Sequence, residues 1–132
     1  MVTLTRQREV VAAFLAASRK GDFDALLAVL DPQVVLRADR AAVEMSASRQ
    51  GQGAPALTPE VTGAAVVADT FSGRAGFAQS ALVNGAVGAV FAPGGEPRVA
   101  FNFRIAGGKI VEIEILADPA GLSELDLVVL NG

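Results

Sequence analysis

The sequence predicts an α+β domain: a cone-like, curved antiparallel or mixed sheet with three helices from the N-terminal half packed on one face. Two observations predict it. Apolar residues recur three or four apart in the segments at about 6–20 and 22–30, and alternate with period two in the last pair of strand-like segments, 98–106 and 109–117. Helices and strands are therefore segregated along the chain, unlike the strict alternation that builds a parallel α/β sheet. A length of 132 residues suits one domain, read here as 1–132. Hydrophobic residues make up 52% and charged ones 19%, the reverse of a disordered composition.

The first helix is expected from about Arg6 to Lys20, where Val10, Val11, Phe14, Leu15 and Ser18 form one stripe. Gly21 ends it and Asp22 caps a second helix carrying Phe23, Leu26, Leu27 and Leu30. Asp31-Pro32 stops that helix, and Val34 to Leu36 begin a strand. The stretch from about 40 to 61 is rich in Ser, Gly, Ala and Pro without a clear period, and reads as a mobile loop with room for a short helical turn. A third helix runs from Ala64 to Phe71 and ends at Gly73.

A meander follows, with strands at 79–84, 86–92, 98–106 and 109–117 and a tight Gly107-Gly108 hairpin. Val99, Phe101, Phe103 and Ile105 alternate with Arg98, Ala100, Asn102 and Arg104. Val111, Ile113 and Ile115 alternate with Glu112 and Glu114, so one face is apolar and the other charged. The charged face reads as cross-strand ion pairs, with a polar pocket wall as the alternative. The tail after Pro119, with Leu122, Leu125 and Leu127, reads as helical.

The net charge is −3, with eleven basic residues scattered along the chain. That argues against direct binding of nucleic acid, which needs a basic face. No apolar run reaches the roughly 18 residues of a membrane span. Glu9 and helical spacing argue against reading Val10 to Ala17 as a signal peptide, so a cytoplasmic protein is expected.

Several segments together resemble the SnoaL-like branch of the nuclear-transport-factor-two-like superfamily. They are most similar to the C-terminal extension of certain extracytoplasmic-function sigma factors. The resemblance rests on Arg6 to Ser18, on Gly21-Asp22-Phe23-Asp24-Ala25-Leu26-Leu27, and on Leu30-Asp31-Pro32 with Val34 to Asp39. It continues through Ala81 to Gly85, Gly107 to Ile113, and Ala117-Asp118-Pro119 with Leu122. The resemblance implies a curved-sheet pocket, a regulatory role, sigma-core domains or RNA polymerase as partners, and homodimerisation through the sheet face.

Two places depart from the family. A glycine-rich run with a lysine is replaced by Arg40-Ala41-Ala42-Val43, and Asn-Pro-Asp-Lys-Leu by Asp118-Pro119-Ala120-Gly121-Leu122. In the family both places are implicated in contacts with the sigma core. The 132 residues hold no promoter- or polymerase-binding domain. The sequence leaves open whether the chain stands alone or is part of a longer sigma factor.

The catalytic repertoire is narrow because His, Cys, Tyr and Trp are all absent. An isomerase-type site needs a carboxylate base and an oxyanion donor, commonly tyrosine. No metal or cofactor is expected, since the carboxylates match no calcium loop. Asp39, ending the first strand, is the weak catalytic candidate, its other reading being a turn or cap. Asn84 and Asn102 are candidates to orient a polar ligand, although Asn84 before Gly85 also fits a turn. Phe71, Phe77, Phe91, Phe101 and Phe103 are expected in the core, with Phe91 and Phe101 the candidates among them to line an apolar pocket. The favoured expectation is a non-catalytic regulatory or interaction module that binds a small apolar ligand or a protein. The alternative is a small isomerase or cyclase using Asp39, and a third is a bare homodimer scaffold.

Overall fold

The structure, a computed structural model, describes residues 4–48, 57–74 and 78–130. Helix α1, Leu4–Lys20, buries Val10, Val11, Phe14, Leu15, Ala17 and Ser18 along one stripe, as the spacing predicts. Arg19 and Lys20 sit in its last turn, where cations complement the helix dipole. Gly21 turns out of it at φ 68°, the left-handed region that disfavours side chains. The Asp22 side chain then accepts from the Ala25 amide at 3.1 Å and starts α2, Phe23–Val29. At the other end of α2 the Lys109 ammonium donates to the Ala28 carbonyl at 2.5 Å, satisfying an otherwise orphaned helix acceptor.

Strand β1 is longer than predicted, Leu30–Ala38, because Pro32 falls in an irregular stretch between Leu30 and Val35. There the Asp31 side chain accepts from the Gln33 amide at 2.9 Å. The expected loop at about 40–61 is corrected at both ends. Arg40–Ser48 is helix α3, and Glu60–Thr62 is a short strand, β2, on β1. Asp39 caps α3, whose Ala42 and Ser46 are buried. With only small buried residues the stripe is faint in the sequence. The middle of that stretch, including Gly51, Gly53 and Pro55, lies outside the described residues, as does Phe77.

Helix α4, Ala64–Phe71, matches expectation and buries Val67, Ala68 and Phe71. The Ser18 carbonyl accepts from both the Gly21 and Gly73 amides, at 3.3 and 2.8 Å, tying the end of α1 to the end of α4. Strands β3 (Gln79–Val83), β4 (Ala86–Phe91), β5 (Val99–Ala106) and β6 (Lys109–Leu116) form the meander. A 3-10 turn at Pro93–Gly95 separates β4 from β5. The tail is only briefly helical, as α5, Pro119–Ser123. It ends as strand β7, Leu127–Val129, which pairs with β3.

The sheet has the order β2-β1-β6-β5-β4-β3-β7, with β1 and β6 parallel and the other neighbours antiparallel. Strict alternation in β6 fails at one point. A bulge pairs Arg104 with Glu112 but Ile105 with Ile110, so Val111 is the extra residue and Ile110 takes the core position.

Toward the helices, Phe14 meets Phe71 and Phe103 edge-on, with ring centres at 5.2 and 5.5 Å. Phe101 lies 6.5 Å from both Phe71 and Phe103. On the opposite face Ala81, Val83, Val90 and Ala100 are nonetheless buried. At the centre of that face Gly88 lets two strands close. A Cβ there would lie 2.3 Å from the Phe101 carbonyl oxygen and 3.0 Å from Val83 Cγ2.

Candidate functional site

Asp39 sits where β1 hands over to α3, and its carboxylate has three backbone donors. Oδ1 accepts from the Ala42 amide at 2.7 Å, which is the helix cap. Oδ2 accepts from Ala117 at 2.9 Å and from Asp118 at 3.0 Å, on the far side of the sheet end. Its own amide donates to the Ile115 carbonyl at 2.9 Å. One side chain thereby joins the start of α3 to the end of β6. A carboxylate bound this way is oriented away from general-base work, which needs a lone pair aimed at substrate. Replacing Asp39 with alanine is expected to cost about 2–4 kcal/mol, the sum of a lost cap and two amides left without an acceptor. Asparagine, keeping one acceptor oxygen, should lose about half as much. Urea unfolding of the three proteins measures both.

The remaining candidates are not gathered around it. Asn84 stands at the opposite corner of the sheet, at φ 51° beside Gly85 at φ 83°, as a tight hairpin turn requires. Its side-chain oxygen accepts from the Asp126 amide and its amide donates to the Asp126 carbonyl, both at 2.8 Å, so it clamps the tail. Asn102 faces away from the helices and donates to Glu114 at 3.2 Å. Phe101 is in the ring cluster toward the helices, and Phe91 ends β4, half-buried.

The charged face is an ion-pair ladder. Arg37 contacts Glu112 and reaches Glu60 at 3.0 Å, and Arg104 reaches Glu112 at 3.5 Å. Arg98 pairs instead with Glu96, loosely at 3.7 Å. These exposed pairs add little stability. Among the described residues no three Asp or Glu side chains cluster as a metal site requires. No helix among them is long and apolar enough to cross a membrane.

The start of α3 and the start of α5 come together. The Asp118 amide donates to Asp39, and α3 and α5 flank a cleft of about 290 Å³. Met45, Pro97, Ala117 and Leu122 give it an apolar lining, to which Glu96 and Arg98 add charged groups. It lies near the lower end of the roughly 300–1,000 Å³ typical of ligand pockets. Met45 and Leu122 were not singled out as site residues. The signal was Asp39 followed by a helix-forming stretch, an N-cap pattern masked by the Ser and Gly further on.

No protein-family model matches the chain, and no curated protein sequence does. Among solved structures, the chain is similar to the Mycobacterium tuberculosis extracytoplasmic function sigma factor SigJ. The TM-score is 0.62 and the identity 26%, over 86% of this chain. The match spans only 42% of that sigma factor's length. An NTF2-like protein of unknown function from Cytophaga hutchinsonii matches at TM-score 0.53 and 13% identity, over 94% of this chain and 97% of that one. A putative ketosteroid isomerase from Kribbella flavida matches at TM-score 0.53 and 13% identity, over 86% and 78%. The chain has the NTF2-like α+β cone fold, and the solved structures that share this fold include a sigma factor alongside proteins named as enzymes.

Proposed function

We propose that the chain is a non-catalytic regulatory or interaction module acting on transcription initiation, through contacts with sigma-factor core domains or RNA polymerase. The observation that carries this reading is the likeness to an extracytoplasmic function sigma factor at 26% identity over 86% of the chain. The geometry of Asp39 supports the non-catalytic part. The carboxylate best placed for an isomerase-type reaction has backbone donors on both oxygens, and tyrosine and histidine are absent. The cleft between α3 and α5 offers the contact surface, with Met45 and Leu122 as its apolar anchors. The reading implies a cytoplasmic protein.

The test titrates fluorescently labelled chain with the promoter- and polymerase-binding domains of an extracytoplasmic-function sigma factor. Saturable binding is expected, weakened at least about tenfold by Leu122→Asp, a loss of about 1.4 kcal/mol. In parallel the chain is assayed for steroid isomerisation and epoxide hydrolysis. Turnover that Asp39→Asn abolishes, with no binding to the sigma domains, would establish the enzyme reading instead.

A further inference from the structure

The chain turns from β3 to β4 on Asn84-Gly85. Val83 pairs with Ala86, so the loop is these two residues alone, at φ 51° and 83°. Two successive left-handed residues make the primed turn that hairpins favour. Both are exposed to solvent. The same asparagine holds the tail, through the paired bonds at 2.8 Å between its amide and side-chain oxygen and the Asp126 carbonyl and amide. Asp126 stands directly before β7, so this corner fixes where the last strand begins.

Asparagine followed by glycine is also a reactive pair, because no side chain shields the glycine nitrogen from the carboxamide. The Gly85 nitrogen gives up its proton and bonds to Asn84 Cγ. The Cγ–Nδ2 bond breaks and ammonia leaves with that proton, closing a five-membered imide. Water then opens the imide at one of two bonds. Breaking the Cγ–N bond leaves aspartate on the original main chain. Breaking the C–N bond leaves isoaspartate, whose main chain runs through Cβ and Cγ and is one atom longer.

The fold controls when this chemistry starts. The ring closes only with Cβ and the Gly85 nitrogen on the same side of the Cα–C bond. A left-handed residue, with ψ of about +47°, puts them on opposite sides. The hairpin therefore keeps the reacting atoms apart, and the reaction waits for the turn to open.

We infer that Asn84 is a site of spontaneous deamidation, protected by its own turn, and that its isoaspartyl product releases the tail. The aspartyl product keeps a side-chain oxygen for the Asp126 amide. In the isoaspartyl product that carbonyl has become main chain, and a turn one atom longer no longer sets Val83 opposite Ala86. Asp126 loses its acceptor, and β7 loses the corner that aligns it with β3. The site thus converts the history of hairpin opening into a loosened C-terminal strand.

Incubating the whole chain in mildly alkaline buffer, folded and in urea, tests the protection. Trypsin places Asn84 in the peptide 75–98, apart from the second Asn-Gly pair at 131–132. Mass spectrometry of that peptide reads the exchange of NH2 for OH. Modification is expected in both samples, at least about tenfold slower in the folded one, the ratio being set by opening of the turn. Gly85→Ala, compared in urea where folding plays no part, should slow it at least about tenfold, because its methyl group crowds the attacking nitrogen. The consequence is read on aged protein, with an isoaspartyl methyltransferase identifying the isoaspartyl form. Hydrogen exchange of the Asp126 and Leu130 amides should quicken at least about tenfold in that form and stay near the fresh rate in Asn84→Asp. Equal rates folded and in urea, or no modification in either, overturn the inference. So does an isoaspartyl chain whose tail amides exchange as in fresh protein. An Asn84→Asp chain loosened as much as the isoaspartyl one overturns it too, assigning the effect to charge rather than to the lengthened turn.

Discussion

Replacing Gly88 with alanine is expected to leave little folded protein. The added Cβ would sit 2.3 Å from the Phe101 carbonyl oxygen, well inside contact distance, and the obstructing atom is backbone. A side chain could swing aside. A carbonyl in a ladder cannot move without breaking the pairing of Gly88 with Asn102 and Ala89 with Phe101. Overpacking typically costs about 1–3 kcal/mol, and a backbone clash in mid-sheet belongs at or above the top of that range. Against a total stability of roughly 5–15 kcal/mol, such a loss can be decisive. Gly88 has no left-handed φ, so the cost is purely steric, unlike that at the turn glycines. Thermal unfolding followed by circular dichroism measures it. A melting curve unchanged from the parent protein would show that β4 and β5 are less tightly closed than described.

Phe14→Ala is expected to be nearly as damaging, at about 3–5 kcal/mol. Phe14 is wholly buried and is the ring through which α1 touches both α4 and the sheet, via Phe71 and Phe103. Removing it leaves a cavity with rigid walls on two sides and forfeits two edge-to-face contacts. Phe14→Leu should recover much of the loss, because it refills most of the volume. Denaturant midpoints for the three proteins rank the effects, and near-equal midpoints would place the weight of the core elsewhere.

The elements readable from the sequence were those with a strong period and clear punctuation. Helix α1 carries six apolar or small residues on one stripe, Asp22 caps α2, and Gly107-Gly108 closes β5 on β6. The failures have physical causes. Helix α3 buries Ala42 and Ser46, too small to mark a face. Val111 looks like a core residue in a strict alternation, and only the bulge beside Ile105 displaces it. Leu127 follows Leu122 and Leu125 in a tail that reads as helical, yet the Asn84 clamp on Asp126 delivers it into a strand. Of the site candidates, Asn84 fitted the turn it was also read as, and Asp39 fitted a cap. Its reach to Ala117 and Asp118, some eighty residues on, left no local trace.

The parallel pairing of β1 with β6 has a consequence for synthesis. Leu36 lies beside Ile113, so the inner edge of the first strand has no partner until the chain has grown by the 77 residues that separate them. At ribosomal rates of roughly 5–20 residues per second, that edge waits about 4–16 s. Throughout that interval the stripes of α1 and α2 lack the part of the core that Ile110, Ile113 and Ile115 supply. Pairings this distant in sequence also slow closure once both strands have been made. The nascent protein therefore passes through a stage in which α1 to α4 are made and β1 and β5 are not yet joined through β6, and that is the stage at which chaperones and proteases meet it.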